Sequence, residues 1–428
     1  MNHTRTESIS HTLHAVPRNV WATTVTSFLT DVSSEMIFTL VPLFLANVLG
    51  MSTAIIGLVD GIAETTSSLL KGVSGWLSDR LRRRKGLAVA GYALSTLAKP
   101  FLYFTTTWGG VLAVRFTDRV GKGIRTSPRD ALLADSTDVR HRGIAFGLHR
   151  AGDTAGAVLG LGIALLVVQA TQSQALTLSR DTFQTLVLLG IIPAVLAVIV
   201  LAVGAREVPV EPQTGPRPRL SFAALNGDFK FFLLVVALFT LGNSSDSFLV
   251  LRAQERGVSV AGILGMLITF NLIYALFSSP LGALSDRVGR KRVILGGWLV
   301  YGLVYLGFAL ARTSTHVWVM YGLYGLYYAA FEGTAKALVA DLIPAEQRGT
   351  AYGYFNATVG LMALPASVLA GVLWQGVGGW EGFGASAPFY TGAALAGMAA
   401  ALVAVHWRGK TIGAAPGPES STAPPAQI

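Results

Sequence analysis

The sequence contains no cysteine and few charged residues. The absence of cysteine excludes disulfides, thiolate metal sites and cysteine nucleophiles. Only 13% of the 428 residues are charged, whereas a soluble domain carries about 25%, and 52% are hydrophobic. Residues 1–18 lack the apolar core of a cleavable signal peptide, so we expect the first hydrophobic segment to remain as a membrane span. The composition predicts an integral membrane protein.

Apolar stretches long enough to cross a bilayer recur along the chain, and we count twelve of them. One long polar interval, rich in proline and arginine, divides these stretches into two groups of six. The sequence therefore predicts an all-α integral membrane fold of twelve transmembrane helices in two six-helix halves. The predicted segments are a cytoplasmic N-terminal tail at 1–18, the first half at 19–204, a cytoplasmic linker at 205–228, the second half at 229–408 and a disordered cytoplasmic tail at 409–428.

Basic residues fall mainly on one side of these predicted spans. The segments on the other side hold Arg180, Arg252, Arg256 and Arg312, a small share of the 33 lysines and arginines. Because basic loops stay in the cytoplasm, we expect both termini to be cytoplasmic and the protein to lie in the plasma (inner) membrane. This bias also explains the net charge of +10 without a nucleic-acid partner.

The two halves repeat each other in sequence. The segment from Gly75 to Arg80 returns as Gly282 to Arg287. Likewise, Ala134-Asp135 returns as Ala340-Asp341. Duplicated helical halves are typical of transporters whose substrate site lies at the interface of the repeats.

The repeated loop carries a recognisable pattern, G-x-x-x-D-R-x-G-R-R/K, which is complete in the second half. The first copy has Arg82 where the second glycine belongs. With these loops the sequence resembles the major facilitator superfamily over nearly its whole length. The resemblance implies that the loops gate exchange between two states, although a basic loop also simply fixes topology. The predicted gating residues are Gly75, Asp79, Arg80, Gly282, Asp286, Arg287, Gly289 and Arg290.

The fifth predicted helix contains Gly152, Gly156, Ala157 and Gly160. This spacing resembles the antiporter signature G-x-x-x-G-P-x-x-G-G, with Ala157 in place of proline. Small residues at this spacing also let two helices pack closely, so both interpretations stay open.

Ionisable side chains inside spans are unfavourable by about 2.5–3.5 kcal/mol each on insertion scales, which makes them functional candidates. Asp31, Glu35 and Asp246 have no cation within a turn of their own helix, so we predict that they carry protons, with Glu64 and Asp118 next. The predicted substrate cavity consists of Arg115, Arg119, Arg150, Asp153, Asn271, Tyr274, Glu332, Lys336 and Asn356.

Some of these charges could instead form structural ion pairs within one helix. The candidate pairs are Asp118 with Arg115 or Lys122, Arg150 with Asp153, and Glu332 with Lys336. Basic residues outnumber acidic ones along helix 4, which predicts an anion-binding face unless other helices neutralise it. A zwitterion or an amphiphile with an acidic group fits this mixed charge.

The leading interpretation is a secondary active transporter that moves a small organic solute by alternating access, coupled to protons, with an efflux antiporter as one form. The alternatives are an uptake symporter and a membrane sensor that does not transport. No G-x-x-x-x-G-K-[ST] loop is present to bind ATP, and no H-E-x-x-H motif supports an enzyme. We expect a monomer whose partners are the solute, protons and the lipid bilayer, without cofactor or metal.

Overall fold

The computed structural model describes residues 16–138, 141–172, 175–208, 222, 225–343 and 348–408. Most of the predicted tails and much of the predicted linker lie outside these residues. The side chains of Asp286 and of residues 348–350 also lie outside the described part. Within it, the chain is helical and contains no β-strand.

The first half of the chain forms long helices joined by short turns. A π-helix at Phe44–Val48 extends the first of them, and a 3₁₀ helix at Lys99–Phe104 extends the third. The helices are α1 (Arg18–Phe38), α2 (Thr53–Leu81), α3 (Arg84–Ala98), α4 (Trp108–Asp135), α5 (Arg142–Gln172) and α6 (Arg180–Gly204).

The second half of the chain also forms long helices, one of which is interrupted. After α7 the chain breaks and continues as a short helix, Ser247–Glu255. The helices are α7 (Gly227–Gly242), α8 (Val260–Val288), α9 (Arg290–Leu310), α10 (Ser314–Leu342), α11 (Arg348–Gln375) and α12 (Ala387–His406).

Many of these helices are suited to a lipid environment. In the described ranges, nine helices are long and apolar enough to cross a membrane, each counted with its extension. Outward-facing side chains such as Val203, Leu303 and Val405 are more than two-thirds exposed, which is typical of a lipid-facing surface. The helices outside this set are α2, α4 and α10, which carry several charged residues in their interiors. The protein is therefore an integral membrane protein.

The helices define two sides of the molecule. We call the side where α1 begins and α12 ends the tail side, and the opposite side the far side. On the tail side, Arg18 donates to the Gly204 carbonyl at 2.7 Å, and Asn19 donates to the Ser136 hydroxyl at 2.7 Å. These bonds join the ends of α1, α4 and α6.

Helix α7 ends at Gly242 because the next residues, Asn243 to Asp246, favour turns over helix. The Ser245 hydroxyl accepts a hydrogen bond from the Ser247 backbone N–H at 3.2 Å. The break therefore exposes polar groups in the middle of an apolar bundle, where they need partners.

Three glycines of α5 face α1. A Cβ on Gly156 would lie 2.4 Å from the Phe28 carbonyl oxygen, and one on Gly160 would lie 2.5 Å from the Val32 carbonyl oxygen. A Cβ on Gly152 would lie 2.7 Å from the Thr24 side chain. The spacing that resembles an antiporter signature thus lets α1 and α5 pack closely within the first half.

Candidate substrate cavity

A polar cavity of about 480 Å³ lies between the two halves of the chain. Its walls come from α1, α2 and α4 on one side and from α7, α8, α10 and α11 on the other. The broken segment of α7 contributes Asn243 through Ser247. The charged lining residues are Glu35, Glu64, Arg115, Arg119 and Asp246.

The far side of the cavity is closed by contact between α2 and α11. A Cβ on Gly57 would lie 2.2 Å from the Ser367 carbonyl oxygen, and one on Gly371 would lie 2.4 Å from that of Thr53. The Thr53 backbone N–H also donates to the Gln375 side-chain oxygen at 2.7 Å. These helices therefore meet backbone to backbone on the far side.

The tail side is less tightly packed. Gly72 on α2 and Gly353 on α11 would each meet no atom within 4 Å if given a Cβ. Gly282 on α8 has the same open surroundings. Helices α2 and α11 therefore make close contact on the far side and separate toward the tail side.

Asp60 forms a buried ion pair with Arg115 inside this arrangement. Their atoms Oδ1 and Nη2 are 2.7 Å apart, and the residues are only 2% and 5% exposed. Asp60 also accepts hydrogen bonds from the hydroxyls of Ser245, at 3.1 Å, and Ser247. One carboxylate thus joins α2, α4 and the break in α7.

A second ion pair follows one turn further along the same two helices. Arg119 contacts Glu64 at 2.9 Å. Asp60 and Glu64 are four residues apart on α2, and Arg115 and Arg119 are four apart on α4, so the pairs form a ladder between helices. The anion-binding face on α4 was predicted unless other helices neutralise it, and for these two arginines α2 supplies that neutralisation. The alternative pairing of Arg115 with Asp118 is not formed, since Arg115 pairs with Asp60.

Sequence reasoning did not include Asp60 among the site residues. The matching spacing of two carboxylates on α2 and two arginines on α4 was the signal that could have found it.

Glu35 and Asp246 line the cavity without such neutralisation. Glu35 accepts a hydrogen bond from the Thr39 hydroxyl at 2.8 Å, and Asp246 accepts one from the Tyr324 hydroxyl at 2.9 Å. In the part of the chain that the structure describes, neither carboxylate forms an ion pair. Asp31 lies one turn from Glu35 on α1, is partly buried, and does not line the cavity.

Two buried charges lie behind the cavity wall. Lys99, 1% exposed, donates to the hydroxyls of Ser33 at 2.7 Å and Ser34 at 3.1 Å. Asp118 is also buried, and its Oδ1 has no hydrogen-bond partner among the described residues. Neither residue lines the cavity.

A separate charged cluster joins the halves nearer the tail side. Arg150 on α5 contacts Glu332 on α10 at 2.8 Å, and its guanidinium donates to the Tyr274 hydroxyl at 2.6 Å. Lys336 also contacts Glu332, at 3.3 Å, as the spacing on α10 predicted. The alternative pairing of Arg150 with Asp153 is not formed, since Arg150 pairs with Glu332 of the other half.

The remaining predicted residues have different positions. Asn271 lines the cavity. Asp153 lies 3.8 Å from the Nε2 atom of His149 on its own helix, and Asn356 is exposed on α11. The predicted substrate residues therefore divide between the cavity, the tail-side cluster and the surface of α11.

The predicted gating loops lie on the tail side. Asp79 is more than half exposed and lies 3.4 Å from Arg84, whose Nε is 2.6 Å from Asp135. The second half shows a similar contact between Arg290 and Asp341. In both halves an arginine at the start of one helix thus pairs with an aspartate at the end of the next.

The two loops differ at their turn. Arg82 adopts a left-handed conformation, with φ 52° and ψ 31°, which non-glycine residues occasionally adopt. Gly289, with φ 99° and ψ 130°, lies in a region that favours glycine. The turn of the first loop therefore forms with Arg82 in place of glycine, at a backbone geometry that arginine can adopt.

A polar cavity between two groups of membrane helices, closed on one side, is the architecture of a membrane transport protein. The chain belongs to the Major Facilitator Superfamily, whose family model matches residues 23–262 and, in a second match, residues 231–427. It is a transporter rather than an enzyme.

Individual similarities agree with this assignment. An uncharacterized MFS-type transporter of Methanocaldococcus jannaschii is 39% identical over 364 residues, covering 84% of this chain and 89% of the relative. The crystal structure of the nucleoside transporter NupG has a TM-score of 0.69 at 14% identity, covering 91% of this chain and 99% of that one. The D-xylose-proton symporter structure has a TM-score of 0.71 at 16% identity, covering 90% and 96%. At these identities the two structures show a shared fold alone.

Proposed function

We propose that this protein is a proton-coupled secondary transporter that moves a small organic solute by alternating access. The observation that supports this most is the cavity, which the α2–α11 contact closes on the far side while these two helices separate toward the tail side. We further propose twelve spans, with the tail side facing the cytoplasm. The structure then corresponds to an inward-facing state.

We assign proton coupling first to Asp31. It forms no ion pair within the described ranges and stands apart from the cavity lining, so its protonation can change without loss of a cation partner or of the solute. Glu64 is a weaker candidate because Arg119 stabilises its charged form. Glu35, Asp246 and Asp118 complete the set of carboxyls to test.

Flux in proteoliposomes tests both proposals. Solute counterflow measures exchange without a gradient, whereas accumulation under an imposed pH gradient measures coupling. Asp31→Asn should keep counterflow and lose gradient-driven accumulation. Asp130→Asn is the matched control, because Asp130 lies near the tail-side end of α4 and pairs with its neighbour Arg129 at 2.8 Å.

Three results would change the assigned coupling residue, the direction of coupling or the function itself. Driven accumulation that survives in Asp31→Asn would move coupling to another of the five carboxyls. Accumulation in the direction of proton entry would identify an uptake symporter instead of an exchanger. Solute binding without any flux would identify a sensor.

Topology has its own test. Alkaline phosphatase fused after Arg219, in the linker, should be inactive if this linker is cytoplasmic. An active fusion would reverse the orientation of the whole chain.

A further inference from the structure

We propose that the solute is an organic cation carrying an aromatic or other bulky apolar group. This inference rests on the proposed transport function, and it concerns the chemistry of the same cavity. It follows from which charges in the cavity have protein partners, which do not, and what surrounds the latter.

The positive charges of the cavity are already engaged. Arg115 contacts Asp60 and Arg119 contacts Glu64, at 2.7 Å and 2.9 Å. An anionic solute would have to compete with Asp60 and Glu64 for these guanidinium groups. Separating Arg115 from Asp60, which is a buried pair, would leave an uncompensated carboxylate with a penalty of about 3–5 kcal/mol, so the cavity disfavours anions.

The negative charges are only partly engaged. Glu35 and Asp246 come from opposite halves, line one cavity, and each receives one hydroxyl hydrogen bond. An ionised carboxylate can accept several hydrogen bonds, so both retain capacity for a ligand. A cation bound between them would hold α1 and α7 together.

Aromatic rings line the same cavity as these two carboxylates. Phe270, Tyr321 and Tyr328 line the cavity, and Phe270 packs edge to face against both tyrosines, at centroid distances of 5.9 Å and 5.4 Å. Arg115 already lies 5.0 Å from the Phe38 ring. Tyr321 is buried among other rings, whereas Phe270 and Tyr328 are partly exposed. Across the described residues, no protein cation lies over Phe270 or Tyr328, so these two rings remain available for a cation–π contact with a ligand.

The cavity size limits the solute. A volume of about 480 Å³ lies within the range of pockets that hold drug-sized molecules, about 300–1,000 Å³. An inorganic ion would leave most of the aromatic wall without contact. The combined shape and charge therefore indicate a lipophilic organic cation.

Equilibrium binding to the purified full-length protein tests this directly. Tetraphenylphosphonium and tetraphenylborate are nearly identical in shape and opposite in charge. Benzyltrimethylammonium and benzenesulfonate form a smaller pair. We expect at least one of the cations to bind and both anions to bind at least about tenfold more weakly.

Variants of the two carboxylates test whether the cation binds there. Glu35→Gln and Asp246→Asn should each raise the dissociation constant of the bound cation about tenfold or more. Asp181→Asn and Glu381→Gln, at exposed positions away from the cavity, should leave it unchanged. Glu64→Gln should improve tetraphenylborate binding, because it releases Arg119 from its partner. Thermal unfolding of every variant verifies that the fold is retained.

The proposal is overturned if neither cation binds, if an anion binds more tightly than its cationic counterpart, or if both carboxylate variants bind the cation normally. Counterflow of a mixed panel of neutral, anionic and cationic solutes separates this failure from that of the proposed function. Flux of a neutral or anionic solute alone would remove the cation proposal and leave the transporter. No flux of any solute would remove the transporter as well.

Discussion

The most consequential single residue in the site is Asp60, which holds Arg115 and two hydroxyls of the α7 break. Replacing Asp60 with asparagine leaves the Arg115 guanidinium buried without a carboxylate. We expect a loss of about 3–5 kcal/mol in unfolding free energy. Denaturation of the detergent-solubilised protein measures this loss.

Two companion variants make this test specific. Asp60→Asn combined with Arg115→Gln should recover part of the stability, because no unpaired charge then remains. Asp130→Asn, at a partly exposed pair, should have an effect below about 1 kcal/mol. Equal losses of unfolding free energy in all three variants would show that the buried pair contributes no more to stability than the partly exposed pair.

The turn residues of the gating loops should respond in opposite directions. Arg82→Gly removes a left-handed arginine and should raise stability by at most about 1 kcal/mol. Gly289→Ala places a Cβ at φ 99° and should lower stability by about 1–3 kcal/mol. Gly282→Ala, in open space within α8, is the control and should be neutral or slightly stabilising. Thermal unfolding ranks the three, and a neutral Gly289→Ala would contradict the backbone argument.

The sequence predicted which polar residues lie near the cavity better than it predicted which residues they pair with. It placed Arg115, Arg119 and Asn271 near a cavity because polar side chains inside spans must face protein or water. It failed for partners across helices, such as Arg150 with Glu332, because sequence spacing reports only neighbours on the same helix. Only the packing of α5 against α8 and α10 brings Arg150 to its partner.

At the scale of elements, the contact of α5 with α1 gives a clear test of the glycine signature. Gly156→Ala would place a methyl group 2.4 Å from the Phe28 carbonyl oxygen, so we expect a loss of about 1–3 kcal/mol. Gly162→Ala on the same helix meets nothing within 4 Å and should be neutral or slightly stabilising. Thermal unfolding compares the two. Normal stability with altered exchange stoichiometry in Gly156→Ala would favour the antiporter interpretation instead.

The existence and order of the long helices could be predicted from hydropathy, because apolar length sets what can cross a bilayer. The places where a helix breaks or changes type could not be predicted in this way. Helix α7 breaks at Asn243 to Asp246, and α3 continues as a 3₁₀ helix from Lys99. Hydropathy predicts one continuous span for each of these two segments. Local residues that disfavour an α-helix, Asn243 to Asp246 and Pro100, mark the places of these breaks. The partners that satisfy them, here Asp60 and the Ser33 and Ser34 hydroxyls, lie on other helices and are not revealed by a single segment.

At the scale of the whole molecule, the positions at which α2 and α11 meet follow a regular antiparallel register, which can be continued along both helices toward the tail side. Gly57 meets Ser367, Gly61 meets Leu364, and Ser68 meets Gly360. One turn further toward the tail side, the same register places Gly72 opposite residues 353–356. We therefore expect these positions to approach each other when the tail side closes.

Cross-linking tests this expectation in a chain that has no cysteine of its own. Gly72→Cys with Gly353→Cys should react with a short bis-methanethiosulfonate, which links two thiols through reducible disulfides, mainly in the outward-facing state, and Thr53→Cys with Gln375→Cys mainly in the inward-facing state. Transport should stop when either pair is linked and return on reduction. Equal reaction of both pairs under all conditions would contradict alternating closure of these two helices.

The glycine contacts between α2 and α11 also have a consequence for the rate of exchange. When two helices meet through larger side chains, separation frees rotamers and closure fixes them again, at up to about 2 kcal/mol of entropy for each long side chain. Glycine has no rotamers to fix. At the glycine positions of Gly57, Gly61, Gly360 and Gly371, the helices can therefore part and rejoin with little change in side-chain entropy, which favours rapid cycling between the two states.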